Sequence, residues 1–358
     1  MSSERTPPTD VFRGDVQSMH AYAIQPSAGM VKLDAMENPH RLPPALQAEL
    51  GQRLGELALN RYPGERVNDL RRALAAHAGM PEGFDIVLGN GSDELISMIA
   101  LACDVPGATI LAPVPGFVMY GMSAQLQGLG FVGVPLTPDF ELDEDAMLAA
   151  IEKHRPSIIY IAYPNNPTAN LWDDAVIERI IDAAPGLVVI DEAYQPFSSR
   201  SFAGRIARYN HVLLMRTMSK FGLAGVRLGY LIGPAPLIAQ IDKVRPPYNI
   251  SVLNCECGLF ALGYQAVFEQ QAQLIRDERA RLQTALAGLP GVKAWKSDAN
   301  MILVRVPDAH KTFEGMKAAG VLVKNVSKMH PLLVNCLRLT VGTADENGRM
   351  LQAFQASL

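Results

Sequence analysis

Three short runs constrain this chain more than anything else in it. Ser157–Ala162 (SIIYIA), Leu187–Ile190 (LVVI) and Val212–Met215 (VLLM) show almost no polar alternation. A strand with one wet face alternates apolar and polar residues, whereas a strand covered on both faces does not. These runs are therefore expected as central strands of a parallel sheet with helices on both sides. The stretches around them agree. Thr109–Ala112 reads as a strand and Met119–Gln127 as a helix. Asp143–Lys153 is a helix opened by acidic residues, as its dipole favours. Asp174–Ala184 is another. Upstream, Leu42–Leu59 and Val67–His77 read as helices, Asp85–Leu88 as a strand and Leu95–Cys103 as a helix. With 358 residues the chain exceeds one ordinary core. The expected fold is α/β. An N-terminal arm (1–40) leads into a large domain (41–250) with a mostly parallel sheet flanked by helices. A smaller C-terminal α+β domain (251–358) follows. Its expected elements are a long helical stretch over Ser251–Leu289, strands at Asn300–Val306, Gly320–Val323 and Cys336–Val341, and helices at Lys311–Ala319 and Glu346–Phe354.

Composition narrows the function classes. Hydrophobic residues make up 49% and charged residues 19%, with a net charge of −4. That balance leaves no basic footprint for nucleic acid. No apolar run is long enough to cross a bilayer, and no basic amphipathic stretch suggests a membrane surface. The polar start MSSERTPPTD lacks a secretory h-region. Four scattered cysteines, with only Cys255 and Cys257 close together, fit reduced thiols in the cytoplasm. They do not fit a metal site, and no H-x-x-x-H pair suggests zinc.

In a parallel sheet, functional groups are expected at the C-terminal strand ends. Gly91–Asp93, Phe117, Asn166, Asp191 and Lys220 all fall there. Gly89-Asn-Gly-Ser-Asp-Glu94 joins a strand to a helix, a layout in which backbone N–H groups face an anion. Glu94 stands where a dinucleotide fingerprint has its third glycine, and the chain contains no Gly-Lys for a P-loop. Lys220 follows a buried strand, and a lysine in a dry pocket loses its proton easily, so its free amine can condense with an aldehyde. Ser219 and Arg227 suit a phosphate nearby. Asp191 ends an apolar strand, where a carboxylate is unfavourable unless it holds a cation. A protonated pyridine nitrogen is such a cation. Tyr194 and Asn166 suit a phenolate oxygen on the same ring, and Phe117 suits its face. Together these groups describe a site for pyridoxal 5′-phosphate.

The ordered set RYPG (61–64), GNGSDE (89–94), PGFVMY (115–120), YPNNPTA (163–169), IDEAY (190–194), TMSKFGLAGVR (217–227) and CLRLTVG (336–342) resembles the fold type I aminotransferases. Within them, LDAMENP near the start and the early NRYP turn resemble the histidinol-phosphate aminotransferase family. The resemblance runs from about Tyr22 to Gly342. It implies a homodimer with active sites at the subunit interface. Lys220 would hold the cofactor and then move the proton, and Asp191 would hold the ring nitrogen. Asn166 and Tyr194 would bond the ring oxygen. Gly91, Ser92, Asp93, Ser219 and Arg227 would hold the cofactor phosphate, with Tyr62 reaching it from the partner subunit. Arg338 would clamp the substrate carboxylate as a fork. The substrate phosphate would fall near Tyr22, Tyr62 and Lys324. No metal is implied. The substrates implied are histidinol phosphate and glutamate or 2-oxoglutarate, and an aromatic or other aminotransferase on the same scaffold is the alternative. A decarboxylase of this fold and a cofactor-binding regulatory domain are more distant ones.

Four positions depart from the family pattern. Lys324 stands where many relatives have Arg, and a point charge is not a fork. Met36 replaces Asn in LDANENP, and Ala169 replaces the Gly of NNPTG. The Lys220–Arg227 loop is one residue shorter than in many members.

Overall fold

A computed structural model describes residues 9–19, 21 and 25–358. Tyr22 lies outside the described residues. The larger sheet has seven strands, in the spatial order Phe84–Gly89, Gly229–Pro234, Val212–Thr217, Leu187–Asp191, Ile158–Ala162, Thr109–Val114 and Gly130–Pro135. Gly229–Pro234 pairs antiparallel with both of its neighbours, and the remaining pairings are parallel. Every residue of Ile158–Ala162 and of Val212–Thr217 is buried. The absence of alternation in these runs reflects helices on both faces of the sheet.

The helices begin where local chemistry starts them. Asp143 accepts the Ala146 N–H at the head of Glu144–His154, and Asp173 accepts the Ala175 N–H before Asp174–Ala183. Reciprocal capping boxes open Val252–Gly263 (Ser251 with Asn254) and Ala344–Ser357 (Thr343 with Glu346). The stretch expected over 251–289 is two helices, Val252–Gly263 and Gln265–Ala287, broken at Tyr264.

A second sheet of four short strands runs Lys324–Asn325, Cys336–Thr340, Met301–Arg305, Lys293–Ala294, with antiparallel pairing throughout. Residues 31–36 of the expected arm are stitched to this part of the molecule. Val31–Lys32 pairs in parallel with Val321–Leu322, and Val31, Leu33 and Met36 are buried in the same apolar cluster as Ile302, Leu339 and Phe354. Among the described residues, no helix is long and apolar enough to cross a membrane.

Candidate active site

The parallel strands end at one cavity of about 340 Å³. Of the residues singled out from the sequence, Ser92, Asp93, Phe117, Asn166, Asp191, Tyr194, Ser219, Lys220 and Arg227 line it. They arrive from the ends of five strands or from the segments that follow them, which is why residues scattered over 136 positions of sequence, 92 to 227, meet here.

Asp191 closes one end. It is 4% exposed and accepts the Tyr120 hydroxyl at 2.7 Å on Oδ2 and the Ala193 N–H at 3.0 Å on Oδ1. Burial raises its pKa to about 6, against the lowering effect of the Tyr120 bond. Alternation along the strand sends the next residue the other way. Glu192 is buried in an ion pair with Arg216, whose Nε and Nη2 lie 2.9 and 2.8 Å from Oε2. The acidic pair in IDEAY is therefore split between a cavity carboxylate and a packed structural one. Tyr120 escaped the sequence reading. The available signal was its position one helical turn after Phe117, on the same side. Its ring stacks on Tyr160 at 4.3 Å and meets Phe117 edge-on at 5.6 Å.

Lys220 lines the same cavity as Asp191. Its Nζ donates to the Ala35 carbonyl at 3.1 Å and lies 5.9 Å from the Tyr194 ring centroid. Burial, helped by the nearby Arg338 and Arg227 cations, lowers its pKa to about 8. The segment around it, Ser219–Leu223, is kinked at Gly222, whose φ is 134. A side chain at Gly222 would also meet the Phe268 ring at 2.9 Å, so this kink requires glycine.

Another part of the lining suits an anion. Gly91, at φ 79, precedes helix Ser92–Ala102, whose N-terminus has no side-chain cap and whose Ser92 and Asp93 line the cavity. A Cβ at Gly91 would sit 2.6 Å from Arg227 Nη2, so glycine lets the turn close against the guanidinium. Arg227 Nη2 also donates to Asp93 Oδ2 at 3.1 Å, and Nη1 to Ser219 Oγ at 3.4 Å. Both members of the Arg227–Asp93 pair are about half exposed, so the pair serves orientation more than stability. Thr217 Oγ1 donates to Ser219 Oγ at 3.0 Å.

A polar chain joins the two sheets across the cavity. Arg338 Nη1 donates to Asn166 Oδ1 at 2.7 Å, and Asn166 Nδ2 donates to the Tyr194 hydroxyl at 3.0 Å. Arg338 Nη2 donates to the Asp34 carbonyl at 2.7 Å. Arg338 stands on the interior strand Cys336–Thr340 and is buried. Lys324 is its register partner on the neighbouring strand, so both cations project from one face. Tyr62 does not line the cavity. It is 72% exposed and stacks on Tyr248 at 3.9 Å, with ring planes 12° apart. Two of the family departures take left-handed backbone, Met36 at φ 52 and Ala169 at φ 65. The family's Asn and Gly tolerate that region better.

These groups fit pyridoxal 5′-phosphate. A buried carboxylate, an amine with a lowered pKa, a hydroxyl–amide pair, an aromatic ring and an anion cup with a glycine back wall face one space of suitable size.

Residues 28–354 match the family "Aminotransferase class I and II". The chain is 75% identical over 351 residues to the histidinol-phosphate aminotransferase of Polaromonas naphthalenivorans (strain CJ2), covering 97% of this chain and 96% of that protein. It is 70% identical over 349 residues to the histidinol-phosphate aminotransferase of Methylibium petroleiphilum, covering 97% and 94%. Among solved structures it resembles histidinol-phosphate aminotransferase from Sinorhizobium meliloti in complex with pyridoxal-5′-phosphate. The TM-score is 0.85 at 25% identity, with 97% of each chain covered.

Proposed function

The chain belongs to the class I and II aminotransferases, and from that premise we propose that it transfers the amino group between L-histidinol phosphate and 2-oxoglutarate, giving imidazole-acetol phosphate and glutamate in histidine biosynthesis. The cofactor is pyridoxal 5′-phosphate. The observation that carries the reading is the placement of the Lys220 amine and the Asp191 carboxylate on one cavity closed by an anion cup.

When bound, the cofactor supplies an electron sink for the carbon that loses its proton. The chain's residues do the rest. Asp191 would hold the ring nitrogen protonated, with Tyr120 and Ala193 keeping its carboxylate ionised and aimed. Asn166 and Tyr194 would hold the ring oxygen, while Gly91, Ser92, Asp93, Ser219 and Arg227 would anchor the phosphate. Lys220 would hold the cofactor through its amine, and that amine, when free, would move the proton at the substrate carbon.

Histidinol phosphate has a phosphoester where glutamate has its α-carboxylate, so one cationic corner must accept both anions. Arg338 offers the fork, and Lys324 adds charge on the same face. Tyr22 is assigned to this end of the substrate by family resemblance. Tyr62 and Tyr248, exposed away from their own cavity, suit an assembly in which Tyr62 reaches the partner's cofactor phosphate. A cytoplasmic homodimer is the form in which this site is complete, and the four free cysteines accord with it. The test is Lys220→Ala. The variant should fold and lose glutamate formation from 2-oxoglutarate and histidinol phosphate by at least about a thousandfold. Near-normal turnover would remove Lys220 from its role and the proposal with it.

A further inference from the structure

The cup that faces the cofactor phosphate is held from behind by residues that never reach the cavity. Glu94 Oε2 accepts two hydrogen bonds, from the Asn90 N–H at 2.7 Å and from Asn249 Nδ2 at 2.7 Å. Asn249 Nδ2 donates again to the Leu88 carbonyl at 3.0 Å. Asn90 Nδ2 returns a bond to the Asn249 carbonyl at 2.6 Å. Arg245 steadies the far side, donating to Asn249 Oδ1 at 3.4 Å and to Asp242 at 2.6 Å. Asn249 thus bonds to the residue before Gly89 and to the glutamate after Asp93. The turn 88–94 is cross-tied at both ends to a segment 155 residues away in sequence.

The residue before this asparagine carries a second feature. Tyr248 takes φ 54, a conformation that a bulky residue adopts only when its surroundings hold it there. That backbone presents the Tyr248 ring to Tyr62. Adjacent residues of one segment thus tie the phosphate cup, through Asn249, and stack on Tyr62, through Tyr248.

We propose that Asn249, acting with Glu94, is a positioning residue for the cofactor phosphate. It sets how tightly the phosphate is held without taking part in the chemistry at Lys220 or Asp191. The inference rests on the cofactor reading above. A glycine-rich turn has many conformations available, and only one points its N–H groups at the anion. The cross-tie removes the alternatives before the phosphate arrives, and such preorganisation appears as affinity.

The experiment compares pyridoxal 5′-phosphate with pyridoxal, which lacks only the phosphate. Dissociation constants of both are measured by titrating the cofactor-stripped protein and following its visible absorbance. Asn249→Ala should weaken pyridoxal 5′-phosphate about tenfold and leave pyridoxal within about twofold. The visible spectrum and its pH dependence should stay as in wild type, since Lys220 and Asp191 are untouched. Equal weakening of both ligands, or no weakening of either, would overturn the proposal. If Asn249→Ala does not fold, Glu94→Ala and Glu94→Gln decide the question. The alanine variant should show the phosphate-selective loss. The glutamine variant, which keeps an accepting oxygen, should restore most of it, and identical behaviour of the two would contradict the assignment. Wild-type protein that captures neither ligand would instead overturn the cofactor reading.

Discussion

The Tyr120 hydroxyl lies 2.7 Å from Asp191 Oδ2, and both groups are buried. Asp191 is thereby kept ionisable in a place where burial alone would favour its neutral form. Tyr120→Phe keeps the ring stack on Tyr160 and removes only the donor. The buried carboxylate then keeps only the Ala193 N–H, and its Oδ2 goes unpaired, at about 1–3 kcal/mol. The expected result is a fall in kcat of about tenfold, with KM little changed and circular dichroism unaltered. An unchanged kcat would mean that the bond serves packing alone.

The stability of the cofactor-stripped protein should depend on pH through Asp191. Its folded pKa, about 6, stands above the ordinary aspartate value because of burial. The protonated form is the one that the fold favours. This contribution is complete below the unfolded pKa and is lost as pH rises through about 6. Wild-type protein without cofactor should lose roughly 2 kcal/mol between pH 4 and 7, relative to Asp191→Asn. Urea unfolding measures it, and a pH-independent difference between the two proteins would contradict the assignment.

Lys220 gives the opposite sign. Its pKa is lowered to about 8, so its charged form is disfavoured in the folded protein. That penalty is complete below pH 8 and disappears as pH approaches the ordinary lysine value. The free amine is the reactive form. Capture of pyridoxal 5′-phosphate by the stripped protein should accelerate with pH, with a midpoint near 8 in stopped-flow absorbance. A midpoint above about 10, the ordinary lysine range, would mean that the amine is not desolvated.

Lys324 and Arg338 share a sheet face, but only Arg338 bonds to Asn166. In the proposed assignment Arg338 would serve both substrates, whereas Lys324 would add a charge that a phosphate dianion uses more than a carboxylate does. Lys324→Ala should raise KM for histidinol phosphate about tenfold and KM for 2-oxoglutarate less than about threefold. Steady-state kinetics with each substrate varied in turn reads this. Equal effects would place the phosphate elsewhere.

The central sheet and most of the cavity could be read from the sequence because burial on both faces leaves an unbroken apolar signature. Ile158–Ala162 and Val212–Thr217 are the clearest cases. Gly130–Pro135 (GFVGVP) escaped because it is an edge strand, mostly exposed, with two glycines and a terminal proline. The short helix Ala235–Asp242, starting directly after Pro234, escaped for want of length. The groups that touch the cavity announced themselves through costly residue types in apolar settings, such as Lys220 and Asp191. The groups that hold them did not. Tyr120 reads as a core aromatic and Asn249 as a turn residue until the fold brings each to its partner. Met36 and Ala169 could be flagged only as departures from a pattern, and their left-handed backbone gives that flag a physical meaning.

The central claim is that the Lys220 cavity carries amino groups from histidinol phosphate. The most direct measurement adds one amino donor at a time to the purified protein with cofactor bound and follows bleaching of its visible absorbance in a single turnover. Histidinol phosphate and glutamate should each bleach it rapidly, with phenylalanine and tyrosine much slower. Fast bleaching by the aromatic amino acids with no response to histidinol phosphate would contradict the account and make the chain an aromatic aminotransferase.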